Sequence, residues 1–132
     1  MSQENVKRLR GLYEAWAEAG VEAVLPLVDD AFELRLPPGW PSVGPFRGHE
    51  GLRAAFWESR DVFADVRMRP DRFIELDGQI LVLGTVLVRS KEAGVEMEVT
   101  LSHLWSMREG KATMLQIYGD PQRALETVGL RE

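Results

Sequence analysis

The chain has 132 residues, 45% of them hydrophobic and 28% charged, with 16 lysines and arginines against 21 aspartates and glutamates for a formal net charge of -5. That length suits a single domain over 1–132 with a core of its own, and no low-complexity run points to disorder. The negative balance repels a phosphate backbone, which argues against nucleic acid as a partner, and the lack of cysteine excludes disulfides, a thiolate zinc site and a cysteine nucleophile.

The opening MSQENVKRLR lacks the apolar core of a signal peptide, and no run is long enough to span a membrane; the expectation is a cytoplasmic protein with no membrane partner. Val6, Leu9, Tyr13, Trp16, Ala17 and Gly20 recur at three- and four-residue steps, which predicts an amphipathic helix of about four turns. Tyr13 and Trp16 on its inner stripe can line a cavity or fill a core. A second short helix is expected over Val21 to Val28, interrupted by Pro26, and then Phe32, Leu34 and Leu36 alternate with Glu33 and Arg35 as a first strand. Pro37 to Gly48 holds four prolines and three glycines and reads as a loop without regular structure, carrying Trp40 and Phe46 either as the cap of a pocket or as plugs at the core edge.

A third helix is expected from Gly48 to about Val62, with Phe56 inward, Trp57 near the boundary and His49 an ordinary helix residue in the first turn. From Arg47 to Arg72 the arginines are interleaved with acids, the pattern of a solvated face of mixed sign. Val66 to Leu76, broken at Pro70, is expected at a sheet edge or with a bulge, and Asp77-Gly78 favours a type I′ turn. Gln79 to Arg89 is apolar on both faces; helices would cover one, and a homodimer through the outer sheet face would cover the other.

In the next strand Val95, Met97, Val99, Leu101, His103, Trp105 and Met107 form one greasy face that holds a single histidine. A titratable ring there must find a hydrogen-bond partner, so His103 is the first residue to consider for chemistry. Glu109-Gly110 suits a tight reversal into a last strand, Ala112 to Tyr118, where Gln116 and Tyr118 share a face and either line the pocket or point outward. Asp120 is placed to cap a helix starting at Pro121 and ending at Gly129. His49 and His103 have no metal-ligand spacing, and no metal site is expected.

This element order, with the phrases GPFRGHEGLRAAF, SHLWSMREGKATMLQIYGD and ALETVGL, resembles the nuclear transport factor 2-like superfamily, in particular its SnoaL-like and ketosteroid isomerase-like branch. The resemblance implies an α+β fold in which a curved antiparallel (mixed) sheet is wrapped by three to four helices into a cone with an apolar pocket. It spans isomerases, polyketide cyclases, epoxide hydrolases, dehydratases and domains without chemistry, so the site has to be argued from residues. The SnoaL-like cyclases resembled use a pocket acid/base pair dominated by an aspartate and need no metal or organic cofactor, and Asp120 is the aspartate nearest that pattern. Ketosteroid isomerases pair a helix-borne tyrosine with two pocket acids. Tyr13 sits much as that tyrosine does, but Val99, Leu101 and Trp105 stand where an acid is expected.

The resulting expectation is a small, mainly apolar molecule bound by Trp16, Trp40, Phe56, Trp57, Trp105, Gln116 and Tyr118. His103 is the expected base, Tyr13 or Tyr118 the oxyanion donor and Asp120 the orienter. The alternatives are a binding domain without turnover and a dimeric assembly module.

Overall fold

The computed structural model describes residues 2–37, 46–120, 125, 126 and 129. In chain order these form α1 (Ser2–Ala19), α2 (Val21–Val24), a 3-10 turn (Leu25–Leu27), β1 (Val28–Arg35), β2 (Phe46–Arg47), α3 (Gly48–Val62), β3 (Phe63–Leu76), β4 (Gln79–Ser90), β5 (Glu96–Arg108) and β6 (Lys111–Tyr118). One sheet takes the strands in the order β2-β1-β6-β5-β4-β3. Strands β3 to β6 are an antiparallel meander, while β1 runs parallel to β6 and antiparallel to β2. The architecture is thus α+β with a mixed, open sheet, as expected.

The main core lies on one face of that sheet. Leu9 and Leu12 of α1, Val21 and Val24 of α2 and Leu52 of α3 pack with Ile80, Val82, Trp105 and Leu115; this helix-covered side is called the inner face below. The outer face buries Leu81 and Leu104 with Leu125, and Leu83 and Tyr118 lie against that cluster. Helical periodicity places α3 over the residues expected. The second helix is shorter than expected: it stops at Val24, Pro26 sits in the 3-10 turn, and Val28 already begins β1. Proline has no N–H to extend the helical ladder, so the chain leaves the helix there. The loop expected from Pro37 to Gly48 also needs correction at its end, because Phe46 and Arg47 pair with Leu34 and Glu33.

Proline shapes β3 as expected. The strand lies at the sheet edge and its register with β4 shifts between Pro70 and Arg72. Gly84 faces this kink, where an added Cβ would meet the Arg69 carbonyl oxygen at 2.4 Å and Pro70 Cα at 3.1 Å, so only glycine lets the strands approach. The type I′ turn is not at Asp77-Gly78, where only the glycine has positive φ; it is at Glu109-Gly110, with φ of 52° and 78°. Of the expected last helix, Leu125 and Glu126 are helical and the Gly129 N–H donates to the Glu126 carbonyl at 3.0 Å. Pro121 lies outside the described residues, as does Trp40.

Candidate functional site

The two-residue period of β5 puts His103 and Trp105 side by side on the inner face, each opposite an apolar residue of β4, Val82 and Ile80. Phe73 of β3 lies beyond Val82. Helix α1 crosses this face: Arg10 places its guanidinium carbon 4.2 Å above the Phe73 ring, and Tyr13, one turn on, meets Phe73 edge-on at 6.3 Å. The helix thereby delivers the Tyr13 hydroxyl between the two β5 rings. Trp105 Nε1–H donates to it at 2.8 Å, and it lies 2.8 Å from His103 Nδ1. The tyrosine and imidazole rings are within 10° of parallel, whereas the indole stands at 87° to the tyrosine.

Burial dominates the protonation of this group. His103 is only 8% exposed, and burial pulls its pKa from 6.5 down to about 4, so the imidazole is neutral at neutral pH. Burial likewise pushes the Tyr13 phenol far above the ordinary tyrosine range, a rise partly offset by the Trp105 hydrogen bond. Tyr13 is the only hydrogen-bond partner that the described residues give His103, and it takes Nδ1. Nε2 has none; among the described residues only Ser102 Oγ is both sealed from solvent and without a partner, so Nε2 is within reach of water. Among the described residues no cluster of three His, Asp or Glu side chains could hold a metal ion.

The expected site residues divide into groups. Tyr13, His103 and Trp105 are brought together. Trp16, Phe56 and Trp57 form a separate aromatic chain between α1 and α3, with centroids 5.4 Å and 5.2 Å apart, and Trp57 is 61% exposed. Gln116 and Tyr118 are on the outer face, opposite Leu104 and Ser102, where Tyr118 packs on the Leu81–Leu104 cluster. The cause is a β-bulge. Counting back from the Arg108↔Lys111 pair would set Gln116 opposite His103, but Thr113 is an extra residue between the Met107↔Ala112 and Ser106↔Met114 pairs, so Ile117 takes that place. The Thr113 hydroxyl ties the bulge to the Ser106 carbonyl at 3.2 Å. Asp120 is exposed beyond the end of β6.

The greasy face of β5 also differs from its even sequence pattern. Leu101, His103 and Trp105 are buried, but Val95, Met97 and Val99 are 54%, 50% and 38% exposed. Strand β6 reaches only as far as Ser102, so this end of β5 has β4 alone beside it among the described residues. His49, expected to be an ordinary helix residue, is a structural tie: its Nε2–H donates to the Val28 carbonyl at 2.9 Å and fixes α3 to β1. Phe73, Val82 and Ile117 were not singled out from the sequence. Their signal was present in the strand alternation, once the bulge fixes which parity faces inward.

No helix among the described residues is long and apolar enough to cross a membrane. Among proteins of curated function, none matches the chain. Among solved structures, a nuclear transport factor 2-like protein of unknown function from Burkholderia pseudomallei is 25% identical with a TM-score of 0.81, over 96% of this chain and 98% of that one. TerC, co-crystallized with polyporic acid, is also 25% identical with a TM-score of 0.81, over 95% of this chain and 97% of that one. A Catenulispora acidiphila protein with a ketosteroid isomerase-like fold, in complex with trimethylamine, shares the fold at a TM-score of 0.74 and 15% identity, over 93% and 92%. Residues 9–114 match the family model described as the SnoaL-like domain, and with four-fifths of its length in that match the chain belongs to the SnoaL-like domain family.

Proposed function

We propose that the inner face binds a small, mainly apolar organic molecule and acts on it by cofactor-independent acid/base chemistry at a carbon beside a carbonyl, as in isomerisation, aldol-type cyclisation or dehydration. The observation that carries this reading is the Tyr13–His103–Trp105 chain on an otherwise apolar face, with His103 Nε2 left open. Tyr13 meets Nδ1, and Nε2 is left for water or for an acceptor on a bound molecule that displaces it. TerC, similar over nearly its whole length, was crystallized with an organic acid, polyporic acid, which supports small-molecule binding. Proton exchange is the direct test: NMR would follow deuterium uptake at the α-carbon of ketones such as 2-tetralone. Acceleration by the protein that drops about a hundredfold in His103→Ala supports the reading. No acceleration for any ketone that binds would overturn the catalytic part.

Binding without turnover is the second reading. It is favoured by the absence, among the described residues, of a carboxylate hydrogen-bonded to His103 that could take a proton from carbon. We also propose a homodimer through the outer face, where Leu83 and Leu87 are half-buried side chains of β4, a strand paired on both sides. Light scattering at micromolar concentration checks it, and a monomer there would refute it.

A further inference from the structure

We propose that His103 meets the bound molecule as a fixed Nε2–H hydrogen-bond donor, in place of the base expected from sequence, and that the class of molecule selected bears a carbonyl-type oxygen. Trp105 is the positioning residue that sets the proton's direction. The inference rests on the small-molecule reading above and deepens it.

Counting donors and acceptors gives the assignment. The indole N–H of Trp105 can only donate, so the Tyr13 oxygen must accept it. The phenol has one proton of its own. If that proton goes to His103 Nδ1, both 2.8 Å contacts are satisfied and the imidazole proton sits on Nε2. If Nδ1 carried the proton instead, two N–H groups would converge on the Tyr13 oxygen and the phenol proton would need a third acceptor. The described residues give Tyr13 no other hydrogen-bond partner. A buried donor left unmet is costly, so the first arrangement holds. The imidazolium form would place both ring protons and a charge in the same apolar setting, and burial disfavours it.

The consequence for recognition follows from what surrounds the ring. Val82 and Ile117 are its cross-strand neighbours on either side, with Phe73 one strand further under the Arg10 guanidinium, so Nε2–H is a donor set between apolar side chains. It matches a ketone, quinone or carboxylate oxygen and offers nothing to an ammonium group. An acceptor oxygen on the bound molecule meets a neutral donor that is already in place, and no proton has to leave His103 to bind it.

Two measurements test this on the purified full chain. The first is 15N NMR of protein labelled at histidine, at pH 7. The expected spectrum shows a neutral His103 with the proton on Nε2, and Trp105→Phe or Tyr13→Phe, checked as folded by their amide spectra, gives a mixture of tautomers. An Nδ1–H tautomer or an imidazolium in the unaltered protein overturns the assignment, with no variant needed. The second compares acetophenone with ethylbenzene, which differ in one carbonyl oxygen, by titration under NMR. Acetophenone is expected to bind about tenfold more tightly and to shift the His103 Nε2–H signal. Equal affinity overturns the donor role while leaving the apolar site standing. If neither probe binds, the small-molecule reading and the selectivity derived from it both fall, and the tautomer spectrum alone decides the state of His103.

Discussion

Acidification should destabilise this protein through His103 by an amount the structure sets. The ring titrates near 6.5 in the unfolded chain and near about 4 in the folded one. Between those values the unfolded state binds a proton that the folded state refuses, so stability is complete above about pH 6.5, falls as the pH drops, and loses nothing more from this residue below about pH 4. The gap is worth about 3 kcal/mol, a large share of the 5–15 kcal/mol typical of a small domain. Carboxylates also titrate in this range, so the assay is urea unfolding of the unaltered protein and of His103→Gln at several pH values from 7.5 to 4. Glutamine keeps an acceptor for the Tyr13 hydroxyl and cannot titrate, and the carboxylate contributions cancel in the difference. That difference should shrink by about 3 kcal/mol towards pH 4. A difference that stays flat, or grows in acid, would show that the folded protein holds His103 charged or exposed.

Tyr13→Phe removes one oxygen and leaves both His103 Nδ1 and Trp105 Nε1–H unmet in the core; it should cost about 3 kcal/mol in urea unfolding. Combining it with His103→Leu should cost less than the two changes added, since each removes the other's partner. Gly84→Ala presses a methyl group into the backbone of Arg69 and Pro70 and should cost about 2 kcal/mol, read in the same way. Trp57→Ala, at a side chain 61% exposed that touches Phe56, should lower stability by less than about 1 kcal/mol.

Local periodicity carried much of the fold: α3, the meander from β3 to β6 and the edge position of the Pro70 strand all follow from spacing and proline chemistry within a few residues. What escaped depends on distant partners or single insertions. Phe46 and Arg47 form a strand only because Leu34 and Glu33 offer an edge, which a Pro/Gly-rich composition cannot reveal. The type I′ turn favours Asp-Gly by propensity, yet Glu109-Gly110 adopts it. For the site, alternation identified His103 and Trp105 as sharing a face, and helix spacing placed Tyr13 on the inner stripe of α1. The hydrogen bond between Tyr13 and His103 spans 90 positions and exists only once α1 docks on the sheet. Gln116 and Tyr118 were placed correctly together and on the wrong side, because Thr113 is one residue that the turn does not announce.

The division of labour on the inner face determines what the site can discriminate. Walls such as Val82, Ile117 and Phe73 tell molecules apart by shape, and one methylene more or less in such a wall is worth only about 1–3 kcal/mol. A donor that is otherwise unmet works differently: a molecule that covers His103 without supplying an acceptor strips the donor of water and gives nothing back. Selection by functional group therefore rests on the His103 nitrogen, and selection by size on the apolar side chains around it. Substitutions among Val82, Ile117 and Phe73 should accordingly shift preference along a series of ketones while keeping the preference for ketone over hydrocarbon. Replacing His103 with leucine should erase that second preference and leave the first in place. A competition titration of two ketones of different length and their matched hydrocarbons separates the two effects, and a Val82→Ala protein that no longer prefers ketone to hydrocarbon would show that the donor does not act alone.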